Sequence, residues 1–173
     1  MTRTMPKEAL DCVVRATNER LHPLGFLRRG SVLRIMGPRT CGIVEFQRST
    51  KSSQERLLFT VNLGVVCGDL LESGTADLTK AKVIDAHVRL RIGELLPGRP
   101  DKWWELTAHT DADALAREIG DLILDKAVPY IRQYLSVDSI LALWESGLSP
   151  GLTNGRRVAL LATLKATRQG GGG

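Results

Sequence analysis

Between residues 83 and 92 the side chains alternate without a break. Ile84, Ala86, Val88, Leu90 and Ile92 take the even positions, while Asp85, His87, Arg89 and Arg91 take the odd positions after Val83. In an extended strand this sends every apolar group to one face and every ionisable group to the other. Arg89 and Arg91 then project the same way roughly 7 Å apart. At that spacing two guanidiniums can grip a carboxylate or phosphate, or anchor to acids such as Asp85 and Glu94. Two other extended stretches supply neighbours. Residues 57–66 put Leu57, Phe59, Val61, Leu63 and Val65 on one face and Leu58, Thr60, Asn62, Gly64 and Val66 on the other. Residues 42–47 set Val44 and Phe46 against Ile43, Glu45 and Gln47. If the three pair with their apolar faces aligned, Glu45, Gln47, Thr60, Asn62, His87, Arg89 and Arg91 share one surface rich in directional donors and acceptors. Antiparallel sheets commonly leave such a face to solvent, so a plain solvated face competes with a binding face.

Trp103 and Trp104 follow in the adjoining segment. Consecutive side chains on an extended segment point oppositely, so one ring can belong to the core and the other to the polar face or to solvent; two large rings capping the open end of the core are an equal alternative. The candidate binding residues are therefore Gln47, Asn62, His87, Arg89, Arg91, Trp103 and Trp104. No complete catalytic set accompanies them. His22, His87 and His109 stand on separate elements, short of the clustered ligands a zinc site needs; Asp85, His87 and Glu45 are the one weak metal grouping. No nucleophile elbow, phosphate-cradling loop or dinucleotide fingerprint occurs, and no metal or cofactor is implied. Cys12, Cys41 and Cys67 show no C-x-x-C spacing and read as reduced, mostly buried thiols.

The elements that must position these groups can be read from periodicity. Leu10, Val13, Val14, Thr17 and Leu21 recur at helical spacing after Pro6 and stop at His22-Pro23. The period then changes to two, predicting strands over residues 31–36, 42–47, 57–66 and 83–92. A polar hairpin loop occupies residues 49–54, and a longer connection precedes the last strand. From Thr110 the helical period returns, with Thr110 and Asp113 as a capping-box variant and Leu115, Ile119, Leu122 and Ile123 on one stripe. Pro129 must kink or restart that helix. Ser136 caps a short helix and Asn154 opens the last one. Strands first and helices afterwards predict an α+β fold: a single antiparallel β-meander of about four to five strands, with the N-terminal helix and the C-terminal helices packed on one face. The expectation is one domain over residues 1–169 and a flexible glycine tail over residues 170–173.

The chain of 173 residues has 43% hydrophobic and 25% charged residues, the composition of an ordinary globular domain rather than a disordered or disulfide-built chain. The longest apolar run, from Leu57 to Cys67, is broken by Thr60, Asn62 and Gly64 and is too short to span a bilayer. No secretory signal precedes the first helix, so a cytoplasmic location without membrane contact is expected. The net charge of +5 is unevenly spread: the two ends are basic and the middle acidic. That asymmetry suits a face for an acidic partner or, less directly, nucleic acid near Arg28, Arg29, Arg156 and Arg157.

Several blocks carry a resemblance. Gly25-Phe26-Leu27-Arg28-Arg29-Gly30, Val44-Glu45-Phe46-Gln47-Arg48-Ser49, Phe59-Thr60-Val61-Asn62-Leu63-Gly64, Arg89-Leu90-Arg91-Ile92-Gly93-Glu94-Leu95 and Asp101-Lys102-Trp103-Trp104 resemble, in order and spacing, a bacterial domain-of-unknown-function family, number 4304. The similarity extends through Ala127-Val128-Pro129-Tyr130. It implies one domain and supplies no reaction, so no catalytic residue is carried over. The first expectation for function is a non-enzymatic binding or accessory module, of immunity type among others, meeting a protein partner or a small anionic ligand through the Arg, Asn, Gln and Trp face. The alternative is an enzyme or sensor for a phosphorylated or carboxylated small molecule, with Arg89 and Arg91 as anion clamp and His87 or Glu45 as proton carrier. That alternative requires a concave site.

Overall fold

The computed structural model describes residues 5–72 and 77–171. Helix α1 (Pro6–Leu21) starts with proline in its first turn and Glu8 accepting the Met5 amide at 3.2 Å. It buries the stripe Ala9, Leu10, Val13, Val14, Thr17 and Leu21. Gly25, at φ 97°, then turns the chain into the sheet. The strands are β1 (Leu27–Arg29), β2 (Val32–Gly37), β3 (Thr40–Arg48), β4 (Arg56–Cys67), β5 (Val88–Arg91) and β6 (Trp104–Thr107). They form an antiparallel meander in the order β1-β2-β3-β4-β5, and β6 continues the last edge by pairing with the N-terminal half of β4. Six strands exceed the four to five expected because β1 and β6 are too short to show a period of their own.

The helices cover one face. Helix α2 (Ala112–Leu122) packs against α1, and α3 (Val128–Gln133) reaches β3 and β4. Helices α4 (Val137–Glu145) and α5 (Asn154–Gly170) follow. Leu33, Val44, Phe46, Phe59, Val61, Leu63 and Val65 from the strands join Ile119, Ile123, Ile131, Trp144 and Leu164 from the helices in one core. The architecture is the α+β fold that the order of elements predicts.

Three details add to or depart from the expected elements, and the helix restart expected at Pro129 is among them. Asp111, not Thr110, caps α2: its carboxylate accepts the Ala114 amide at 3.0 Å, while the Thr110 hydroxyl accepts the Thr107 amide. Ahead of Pro129 the helix widens to a π-turn over Ile123–Ala127 before α3 restarts. A proline with no amide proton and a ring that crowds the preceding turn is accommodated by that extra residue. The third detail is the strand expected over residues 83–92, of which only Val88–Arg91 is strand. Val83–Asp85 is a 3-10 turn, and Ile84, expected on the apolar face, is 73% exposed.

The cause lies across the sheet. On the outer face Cys41, Ile43 and Val66 form an apolar patch that needs cover, and Ala81, Val83 and Ala86 supply it. Gly64 makes room, since a Cβ there would stand 2.7 Å from the Ala86 Cβ. Arg34, buried at 8% exposure, donates from Nε to the Ala81 carbonyl at 2.7 Å and pins the covering segment. Helix α5 runs one residue into the expected glycine tail; the rest of that tail beyond Gly171, the first four residues and residues 73–76 of the long connection lie outside the described residues.

Candidate functional site

Strand register decides which side chains meet. Glu45 pairs with Asn62 and Asn62 with Arg91, so these three form one row across β3, β4 and β5. Gln47 opposes Thr60 in the next row, and Arg89 opposes Gly64 in the row before. All lie on the face away from the helices, as the alternation requires. The covering segment stops short of this area and forms a wall instead. The result is a cleft of about 480 Å³, lined by Glu45, Gln47, Asn62, Arg89, Arg91 and Glu94, with Val83, Ile84 and Leu90 as its apolar part.

The floor is polar and partly committed. Asn62, 9% exposed, donates from Nδ2 to Gln47 Oε1 at 2.6 Å. Glu45 accepts the Val83 amide at 3.1 Å, which ties the wall to the floor. Arg91 is held on the outer rim: its Nη1 meets both oxygens of Asp101 at 2.7 and 2.9 Å, and its guanidinium lies 5.1 Å from the Trp103 ring. Trp103 Nε1 donates to the same carboxylate at 3.1 Å, and these bonds, Arg91 first, hold the Asp101 carboxyl below its ordinary range. The Arg91 amide donates to Glu94 at 3.0 Å. Arg89 differs. Its backbone is fixed by the Gly64 pairing on one side and by a hydrogen bond from its amide to the Pro150 carbonyl at 3.1 Å on the other. Gly151 permits that approach, because a Cβ there would stand 2.7 Å from the Arg89 carbonyl oxygen. The Arg89 guanidinium has no hydrogen bond or ion pair among the described residues.

Of the expected site residues, the cleft thus gathers Gln47, Asn62, Arg89 and Arg91. Trp103 stands behind Arg91, outside the lining. Trp104 is core: it is 6% exposed, stacks on Phe59 with centroids 5.6 Å apart, and reaches Glu118 through Nε1 at 3.3 Å. His87 is buried at 7% exposure, and its Nδ1 accepts the Cys67 amide at 3.0 Å. Burial, reinforced by Arg156 and opposed by Asp85, pushes its pKa down to about 4. The expected alignment of His87 with the two arginines in an open face therefore does not arise. Nor do Asp85, His87 and Glu45 converge, because each is spent on a different backbone amide, those of Lys82, Cys67 and Val83. Cys41 and Cys67 are free, fully buried thiols, and burial pushes Cys41 up to about 11. Arg28 and Arg29 lie on the edge strand β1, whereas Arg156 and Arg157 lie on α5, which follows the Pro150–Gly151 segment that meets Arg89 of β5.

Sequence reading missed Val83 and Ile84 as a wall, Glu94 as a lining residue and Asp101 as the partner of Arg91. A signal existed for the first pair. Ile43 and Val66 sit at outward positions of their strands, and an apolar patch on a nominally polar face calls for something to cover it.

A family model described as a domain of unknown function (DUF4304) matches residues 17–133. The chain belongs to the DUF4304 family. The DUF4304 match takes in all six strands, the cleft, α2 and α3, and leaves α4 and α5 beyond it. Compared with curated proteins and with solved structures, the chain finds no match. No helix among the described residues is long and apolar enough to cross a membrane.

Proposed function

We propose that this DUF4304 protein is a binding module whose cleft captures a ligand bearing a carboxylate or phosphate, with Arg89 as the anion-recognising group. The observation that carries the reading is the unpartnered Arg89 guanidinium in a concave site whose neighbouring arginine is already neutralised by Asp101. A planar guanidinium with its five donors free is suited to bidentate contact with an oxyanion. The cleft has the size of a small-molecule site. Binding is favoured over catalysis by what the two proton carriers are doing. His87 is enclosed and bonded to a backbone amide, and Glu45 anchors the Val83 amide. A general acid or base must reach the proton it moves, and His87 does not line the cleft.

The test is native mass spectrometry of the protein purified from its source, wild type beside Arg89→Gln. Arg89 has no side-chain hydrogen bond or ion pair to lose among the described residues, so the variant should keep the wild-type melting temperature and lose the bound mass. A small-molecule adduct retained undiminished in the variant would overturn the assignment of Arg89. A protein partner presenting its carboxylate into the same cleft is read out by pull-down with the Arg89→Ala, Arg91→Ala double variant; equal recovery with wild type removes this surface from that interface.

A further inference from the structure

Resting on the cleft being a ligand site, the charges that line it specify the kind of ligand. Two half-buried side chains of opposite sign face the same space, and neither has an ionic partner among the described residues. Among these residues Arg89 makes no side-chain hydrogen bond or ion pair, and Glu45 accepts one backbone hydrogen bond, from Val83, and makes no ion pair. They do not neutralise each other. Glu45 stands on β3 and Arg89 on β5, one row apart, so their Cα atoms are separated by roughly 12 Å on ordinary strand spacing and rise. At the cleft's own rim, by contrast, Arg91 is paired with Asp101, as Arg20 is with Asp121 and Arg56 with Glu105 elsewhere on the surface. Withdrawing a charge part-way from water without a partner is unfavourable. A site that holds one charge of each sign in this condition is complementary to a ligand carrying both. The floor between them fits the same ligand. Asn62 commits Nδ2 to Gln47, which leaves Asn62 Oδ1 as an acceptor and Gln47 Nε2 as a donor for uncharged polar groups. Glu94 adds a second carboxylate to the lining.

We infer that the cleft binds a small zwitterion, with its carboxylate on Arg89 and its ammonium group on Glu45, in the size range of an amino acid or a short peptide. Titration calorimetry checks this with γ-aminobutyrate, 6-aminohexanoate and triglycine, each beside analogues with one charge removed: butyrate and butylamine, hexanoate and hexylamine, N-acetyltriglycine. The expected result is at least one zwitterion bound tenfold or more tightly than its single-charge analogues. Glu45→Gln keeps an oxygen for the Val83 amide and removes the charge, so it should bring the zwitterion down to the level of the plain acid. Arg89→Gln should abolish both. Equal affinity of acids and zwitterions in wild type and Glu45→Gln overturns the zwitterion while leaving the anion site intact. Failure of every probe also overturns it, and the native mass spectra of wild type and Arg89→Gln then decide separately whether the cleft is a site at all.

Discussion

Arg89, Arg91 and His87 alternate with apolar residues in the same few positions of sequence, yet they end in three different electrostatic conditions. Arg91 is screened by an exposed carboxylate and a ring, Arg89 is left free, and His87 is enclosed as the neutral form. The last has a consequence for pH. The His87 pKa is depressed from an ordinary 6.5 to about 4, by burial first and Arg156 second. Above the ordinary value the ring is neutral in both states. Below it the unfolded chain takes up a proton that the folded chain refuses, so stability falls as pH drops through the window between the two values. At about pH 4.5 the loss amounts to roughly 2–3 kcal/mol. His87→Gln cannot titrate and can still offer an oxygen to the Cys67 amide. Urea unfolding of both proteins at neutral pH and near pH 4.5 should show the variant losing less stability by about that amount; parallel losses would show that His87 does not govern acid sensitivity.

At the scale of elements, the segment that leaves the strand does more for the site than the strand it was expected to extend. Ala81, Val83 and Ala86 cover Cys41, Ile43 and Val66, while Val83 and Ile84 turn an otherwise open sheet face into a cleft. The cover meets the sheet closely at Gly64, where an added Cβ would stand 2.7 Å from Ala86 and 3.6 Å from Val83. Gly64→Val should lift the cover, at a cost of about 1–3 kcal/mol typical of overpacking. Cys41 lies in the covered patch, so its thiol should become reactive when the cover moves. The measurement is the rate of thiol labelling, with the modified peptide assigned by mass, in a background where the half-exposed Cys12 is replaced by Ser. Unchanged protection of Cys41 would mean that the neighbours absorb the extra methyl groups without opening.

Over the whole molecule, α5 is attached rather than embedded. Leu164 is its one fully buried residue, and its polar ties run to α4: Arg157 to the Trp144 carbonyl at 2.6 Å, Lys165 to Glu145 at 2.8 Å, and Arg168 to Asp138. The DUF4304 match ends before α4, and the core of the sheet is filled mainly by α1, α2 and the chain into α3. Leu164→Ala should therefore cost about 2–5 kcal/mol, the range for emptying a buried leucine site. Melting followed by circular dichroism should show one cooperative transition at a lower temperature. A Leu164→Ala protein with no transition at all would make α5 part of the folding core.

The alternation of 42–47, 57–66 and 83–92 was sufficient to place Gln47, Asn62, Arg89 and Arg91 on one face. Pleat and hairpin pairing are local properties, and a strand with one buried face tolerates no slip in register. The helical stripes, the Ser136 cap and the splitting of Trp103 from Trp104 were legible for the same reason. What depended on tertiary structure was everything decided by contacts between distant residues. Residues 83–87 satisfy the strand pattern perfectly well, but Ala86 finds space over Gly64 and Val83 finds an apolar patch to cover, and burying that patch outweighs extending the ladder. The same packing withdrew His87 from the surface, gave Arg91 to Asp101, and left Arg89 and Glu45 facing one cleft without an ionic partner among the described residues.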